Sequence, residues 1–148
     1  MKSKLFYPYS RQEIIEEDLN AVERVLKSNF LTQGPMVEEF EKQLGKTVKS
    51  RHVIATNSAT SALHIACLAL GLSKDDYLWT SPITFVASAN CARYCGAKVD
   101  FVDIDQNTGL MSTCKLKEKL EKASLEGNLP KILVPVHLTG SSCDMEEI

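Results

Sequence analysis

Thr56-Asn57-Ser58-Ala59-Thr60-Ser61-Ala62-Leu63 is a junction between two kinds of sequence. Before it, His52 to Ala55 reads as a short strand. After it, Ala59 to Leu70 is small, apolar and free of Pro and Gly, which suits a buried helix. A strand that ends in small hydroxyl and amide residues and passes straight into a helix is the building unit of an α/β fold. The start of a helix leaves backbone N–H groups unpaired and carries partial positive charge. Small side chains at Ser58, Ala59 and Thr60 let a phosphate approach those amides, and the Ser and Thr hydroxyls can add bonds. The spacing matches neither the Walker pattern nor GxGxxG, and the stretch has no lysine. On chemistry alone, a helix cap at Ser58 or Thr60 with no ligand stays open as an alternative.

The alternation continues downstream. Gly71 stands where a helix C-cap is expected, and Tyr77 to Thr80 reads as a strand. Thr84 to Tyr94 reads as a helix ended by Gly96, and Lys98 to Ile104 as a strand. Ser112 to Ser124 is an amphipathic helix with Leu116, Leu120 and Ala123 facing in and Ser112 as its cap. Lys131 to Leu138 is a nearly continuous apolar run, as for a strand buried on both faces. Asp144 to Ile148 reads as a helix just begun, from which truncation is expected. Upstream, a helix from Ser10–Glu16 to about Lys27 carries Ile14, Ile15, Leu19, Val22 and Leu26 at helical spacing. A loop, Asn29 to Pro35, leads to a second helix, Met36 to Thr47, with Val37, Phe40 and Leu44 on one face. Phe6, Tyr7, Pro8 and Tyr9 read as a segment lying against another surface.

Bulk properties narrow the class. The 148 residues are 44% hydrophobic, enough for a core, and the net charge of -2 with scattered Lys and Arg argues against nucleic-acid binding. Five cysteines are an odd number, so reduced thiols in a cytoplasm fit better than a disulfide framework. No signal peptide or membrane span is legible; the longest apolar stretch, Ala62 to Leu72, is interrupted by His64. In parallel sheets ligands bind beyond the carboxyl ends of the strands. That directs attention to Thr56–Ala59, Ser81–Thr84, Asp103–Gly109 and Thr139–Cys143. Phe85 reads either as a core aromatic or as a ring stacking on a flat ligand. Asn90 reads as surface or cap. Cys91 and Cys95 share a helix face, but without further Cys or His partners they make a poor zinc site. His137 alone carries little. No nucleophile–base arrangement, paired carboxylates or metal cluster can be argued.

Six segments, in order, resemble one family: Tyr9-Ser10-Arg11-Gln12; Phe30-Leu31-Thr32-Gln33-Gly34-Pro35; Asn57 to Leu63; Ser81-Pro82-Ile83-Thr84-Phe85 and on to Asn90; Val102-Asp103-Ile104-Asp105; and Pro135-Val136-His137-Leu138-Thr139-Gly140. The chain resembles the DegT-type sugar aminotransferases, which are fold-type-I pyridoxal-phosphate enzymes, and it looks closest to their pseudaminic-acid branch. That branch aminates UDP-linked 4-keto-6-deoxy-N-acetyl-hexosamines with glutamate as donor. The resemblance implies that Ser58 and the backbone amides of Ala59 and Thr60 hold the cofactor phosphate. It implies that Phe85 stacks on the pyridine ring, that Leu31 and Thr32 lie near the substrate or the dimer contact, and that the enzyme is a homodimer.

It also implies a fold: α/β, part of the fold-type-I large domain, with a mainly parallel sheet, flanking helices and a truncated end. Residues 1–34 are expected as an N-terminal arm and first helix, and residues 35–148 as an incomplete cofactor-binding domain. The family sheet runs 3-2-4-5-6-7-1, of which this chain supplies strands 1 to 4, leaving strand 1 with a bare edge. The family's pyridinium-pairing aspartate and Schiff-base lysine fall downstream of Ile148. The chain alone is therefore expected to hold no catalytic residue and to bind cofactor weakly. The competing expectation is a non-catalytic remnant acting as a binding module.

Overall fold

The computed structural model describes residue 8 and residues 10–148, so the readings placed on Phe6, Tyr7 and Tyr9 lie outside the described residues. The chain forms two compact units, Met1–Ala55 and Thr56–Ile148.

The first unit contains α1 (Glu16–Leu26) and α2 (Pro35–Val48), close to the expected spans. The Asp18 carboxylate accepts the Ile15 N–H at 3.1 Å, and Glu16, Glu17 and Asp18 place negative charge at the positive end of α1. Pro35 opens α2, where its missing N–H costs nothing. The apolar stripes Ile14, Ile15, Leu19, Val22 and Leu26, and Val37, Phe40 and Leu44, are all exposed.

One expectation fails here. His52 to Ala55 is not a strand. Its backbone groups are taken by side chains instead of a ladder: Glu41 Oε1 accepts the Ala55 N–H at 2.7 Å, and Ser50 Oγ donates to the His52 carbonyl at 2.8 Å. A strand exists only with a partner, and local composition does not show whether one is present.

The second unit alternates α3 (Ala59–Ala69), β1 (Tyr77–Thr80), α4 (Ala87–Tyr94), β2 (Lys98–Phe101), α5 (Thr113–Glu126) and β3 (Ile132–Val134). The sheet is parallel in the order β2-β1-β3, with Leu78 opposite Val99 on one side and Ile132 on the other. This is the 3-2-4 portion of the expected sheet, without the first strand. Strand alternation sorts the core into two layers. Leu78 packs with Cys67, Leu72, Cys91, Ala92 and Ala97 beneath α3 and α4. Trp79 packs with Val102, Met111, Leu116, Ala123 and Cys143 beneath α5. Thr80, fully buried, ties the centre to the edge by donating to the Val134 carbonyl at 2.9 Å.

The helices end as their sequences require. After α3, Gly71 takes φ +70, its N–H returns to Leu68 O at 2.9 Å, and Leu72 N–H returns to Cys67 O at 3.0 Å. Gly96 repeats the motif after α4, with φ +76. Ser112 caps α5, its Oγ accepting the Lys115 N–H at 3.3 Å.

Four further expectations are corrected. α3 is not a buried helix: Cys67 is its one buried residue, and Ile65 and Leu68 are exposed. α4 begins at Ala87 and not at Thr84: its first backbone bonds run from Ser88 N–H to Phe85 O and from Asn90 N–H to Val86 O. β3 stops at Val134, where Pro135 can donate no ladder bond, and its residues are half-buried because it is an edge strand. Asp144 to Ile148 forms a turn closed by Ile148 N–H to Asp144 O at 3.1 Å.

Candidate functional site

At the start of α3, Ser58 is in extended conformation (φ -162, ψ 155) and its Oγ accepts the Ser61 N–H at 3.1 Å. Ala62 N–H bonds to Ser58 O at 3.0 Å. The two amides between them, of Ala59 and Thr60, have no acceptor among the described residues. The capping reading is therefore correct for Ser58, but the cap consumes the third amide of the helix and leaves the first two free. The hydroxyls interlock around them. Ser61 Oγ donates to Asn57 Oδ1 at 2.7 Å, Ser58 Oγ lies 3.1 Å from Ser61 Oγ, and Thr56 Oγ1 donates to Ser58 O at 2.9 Å. Ser61 commits its proton to Asn57, so Ser58 is the donor in the Ser58–Ser61 contact, and its hydroxyl would leave that contact to reach a ligand while Oγ keeps the cap. Two free N–H groups, one hydroxyl, small side chains and the positive end of a helix fit an anionic phosphoryl group. These residues therefore fit the phosphate of the implied cofactor.

Phe85 lies in the loop after β1, is 75% exposed, and belongs to neither of the two core clusters of this chain. Its carbonyl accepts the Ser88 N–H at 3.0 Å, and Thr84 Oγ1 and Ser88 Oγ meet at 2.7 Å, so the loop is anchored to the first turn of α4. α3 and α4 pack on the same face of the sheet. Ser58–Thr60 and Phe85 thus stand before two neighbouring helices. Sequence reasoning gave no role to Ser81, which directly follows β1 at 1% exposure with its Oγ unpartnered. A polar residue at a strand's carboxyl end was the available signal. Leu31 and Thr32 are exposed in the loop between α1 and α2, in the other unit.

Elsewhere, the charged pair under α5 is satisfied internally, while the buried Trp79 Nε1 beside it has no partner among the described residues. A cavity of about 290 Å³ under α5 is lined by Tyr77, Trp79, Asp100, Lys119 and Glu126. There Lys119 Nζ sits 2.6 Å from Asp100, donates to Phe101 O at 2.7 Å and lies 4.8 Å over the Trp79 ring. Burial pushes the Asp100 carboxyl up, but the hydrogen bonds from Lys119 and the Phe101 N–H outweigh it and hold the group below its ordinary range. Burial pushes the Cys67 thiol up to about 12, helped by Cys91 and Cys95. A thiol held protonated is a packing residue and a poor nucleophile. Among the described residues no group of three or more His, Cys, Asp or Glu is arranged to hold a metal, and no helix is long and apolar enough to cross a membrane.

The second unit is a parallel three-layer α/β arrangement with two uncapped amides at the start of its first helix. Residues 12–148 match the DegT/DnrJ/EryC1/StrS aminotransferase family, and the chain belongs to that family. It is 39% identical over 147 residues to the spore coat polysaccharide biosynthesis protein SpsC of Bacillus subtilis, covering 99% of this chain and 36% of that protein. It is 41% identical over 140 residues to a UDP-4-amino-4,6-dideoxy-N-acetyl-beta-L-altrosamine transaminase of Campylobacter jejuni, covering 95% and 36%. The PLP-form of Spr1654 from Streptococcus pneumoniae superposes with a TM-score of 0.83 at 27% identity, covering 95% of this chain and 34% of that one. The chain thus spans about a third of the length of the proteins it matches.

Proposed function

We propose that this chain is the phosphate-cradling part of a pyridoxal-phosphate-dependent aminotransferase that moves an amino group from glutamate to a UDP-linked 4-keto-6-deoxy sugar in surface-glycan biosynthesis. The observation that carries the reading is the pair of uncapped amides at Ala59 and Thr60 in a chain of an aminotransferase family. The likeness to the Campylobacter jejuni transaminase supports the sugar class. The cofactor, when bound, supplies an electron sink for charge developing beside the transferred nitrogen.

The residues of this chain bind and orient. Ala59 and Thr60 hold the phosphate by their amides, Ser58 adds its hydroxyl, and Phe85 offers a ring face to the pyridine. Leu31 and Thr32, in the arm formed by residues 1–34, approach the sugar or a second subunit of a homodimer. Residues 35–148 contribute the cofactor-binding side. The odd number of cysteines, all free, fits a cytoplasmic enzyme.

The test presents the intact, cofactor-loaded protein with glutamate and a panel of UDP- and dTDP-linked 4-keto-6-deoxy sugars, with products read by mass spectrometry. The expected result is a glutamate-dependent amino sugar from the UDP-linked members. No amino sugar from any member of the panel would refute the reading.

A further inference from the structure

We propose that His137 is a ligand-binding residue that presents a fixed Nε2–H to an anionic oxygen at the carboxyl end of the sheet, an inference that rests on the functional reading above. β3 ends at Val134, and His137 follows it, exposed, at the end of the sheet where ligands of parallel folds bind. Its Nδ1 accepts the Cys143 backbone N–H at 3.0 Å. A ring nitrogen that accepts carries no proton, so the neutral imidazole holds its hydrogen on Nε2. Nε2 has no partner among the described residues.

The surrounding loop keeps the ring in place. Gly140 N–H bonds to His137 O at 3.1 Å, Ser141 N–H to Leu138 O at 3.0 Å, and Cys143 Sγ to Val136 O at 3.2 Å. Thr139 sits in the left-handed region at φ 56, a conformation strained for a β-branched residue and kept only where its surroundings impose it. Closing this loop needs one acceptor, which an Asn side chain supplies as well as an imidazole does. The imidazole adds a second nitrogen at its far edge, which has no partner among the described residues. A neutral N–H donor there suits an oxygen bearing negative charge. Two sources share that chemistry: the anionic oxygens of the cofactor, and the diphosphate of a sugar nucleotide.

Two substitutions in the intact protein separate the roles of the two nitrogens. His137→Asn retains an acceptor where Nδ1 stands and removes Nε2. His137→Gln places an amide N–H near Nε2 and removes the Nδ1 acceptor. Each variant is titrated with pyridoxal phosphate and, separately, with UDP, and the melting temperature of the ligand-free form is recorded. The proposal expects His137→Asn to melt like the parent and to bind one of the two ligands roughly tenfold more weakly, the affected arm identifying the oxygen. His137→Gln should melt lower and keep more of that affinity. Nitrogen-15 NMR of the parent should show the Nε2–H tautomer at neutral pH. The proposal is overturned if His137→Asn binds both ligands like the parent, if its loss comes only with a lowered melting temperature, or if the tautomer is Nδ1–H. A parent protein that binds neither ligand overturns the functional reading and takes this inference with it.

Discussion

Ala59→Pro isolates one amide of the cradle without disturbing the helix. Ala59 is the first residue of α3, where proline is favoured because the missing N–H has no intrahelical partner. The residue before a proline must be extended, and Ser58 already is, at φ -162 and ψ 155. Ala59 is exposed, so the ring meets no packed neighbour. The Ser58 cap acts on Ser61 and survives. Folding stability should therefore change by less than about 0.5 kcal/mol, the usual span for a surface substitution away from special features. Ligand binding should respond differently. A hydrogen bond to a charged group contributes about 1.5–3 kcal/mol. At a factor of ten per 1.4 kcal/mol, losing one amide donor to the phosphate weakens binding roughly ten- to a hundredfold. Fluorescence titration of the intact protein with pyridoxal phosphate, and with pyridoxal lacking the phosphate, reads this directly. The phosphorylated ligand should lose affinity and the unphosphorylated one should not. Equal affinity of parent and variant for pyridoxal phosphate, with unchanged melting, would show that the amide holds nothing.

Other consequences follow from single contacts. Ser112→Ala removes the cap of α5 and should lower stability by about 1 kcal/mol in urea unfolding, with Cys143 and the core beneath α5 unchanged in position. Thr80→Val keeps shape but removes the bond to the Val134 carbonyl, and should cost about 1 kcal/mol in the same assay. The Asp76 carboxyl is held below its ordinary value of 3.8 by Lys131 Nζ at 2.9 Å and by the Ser73 hydroxyl and amide. A depressed carboxylate stabilises the fold above 3.8 and loses that contribution as pH falls through the lowered value. Lys131→Met should therefore move the acid limb of unfolding, followed by circular dichroism, to higher pH.

How far the sequence was legible depended on whether the deciding interaction was local. Helix ends were readable because Gly71, Gly96 and Ser112 act through their own neighbours in the chain. Tyr77–Thr80 was read with the bounds the structure shows, and its alternate residues Leu78 and Trp79 enter two different cores. His52–Ala55 was misread because strand formation depends on a partner, and here the Glu41 and Ser50 side chains take the backbone groups. The stripes on α1 and α2 were visible as helical periods, but a period names a face without naming what covers it. At the site, composition at Ser58–Thr60 showed that a phosphate would fit. It could not show which amide the cap consumes, and that depends on Ser58 Oγ reaching Ser61 and not its nearer neighbours. The position of Ser81 at a strand's carboxyl end was legible, but its burial and the exposure of Phe85 were not, because burial is a property of the assembled layers.

Amide NMR gives the most direct view of the cradle. Adding pyridoxal phosphate to the nitrogen-15-labelled intact protein should move the Ala59 and Thr60 amide signals downfield and slow their hydrogen exchange, while Ser61, already bonded to Ser58, stays nearly still. Saturating ligand that leaves Ala59 and Thr60 unmoved, with shifts elsewhere, contradicts the account.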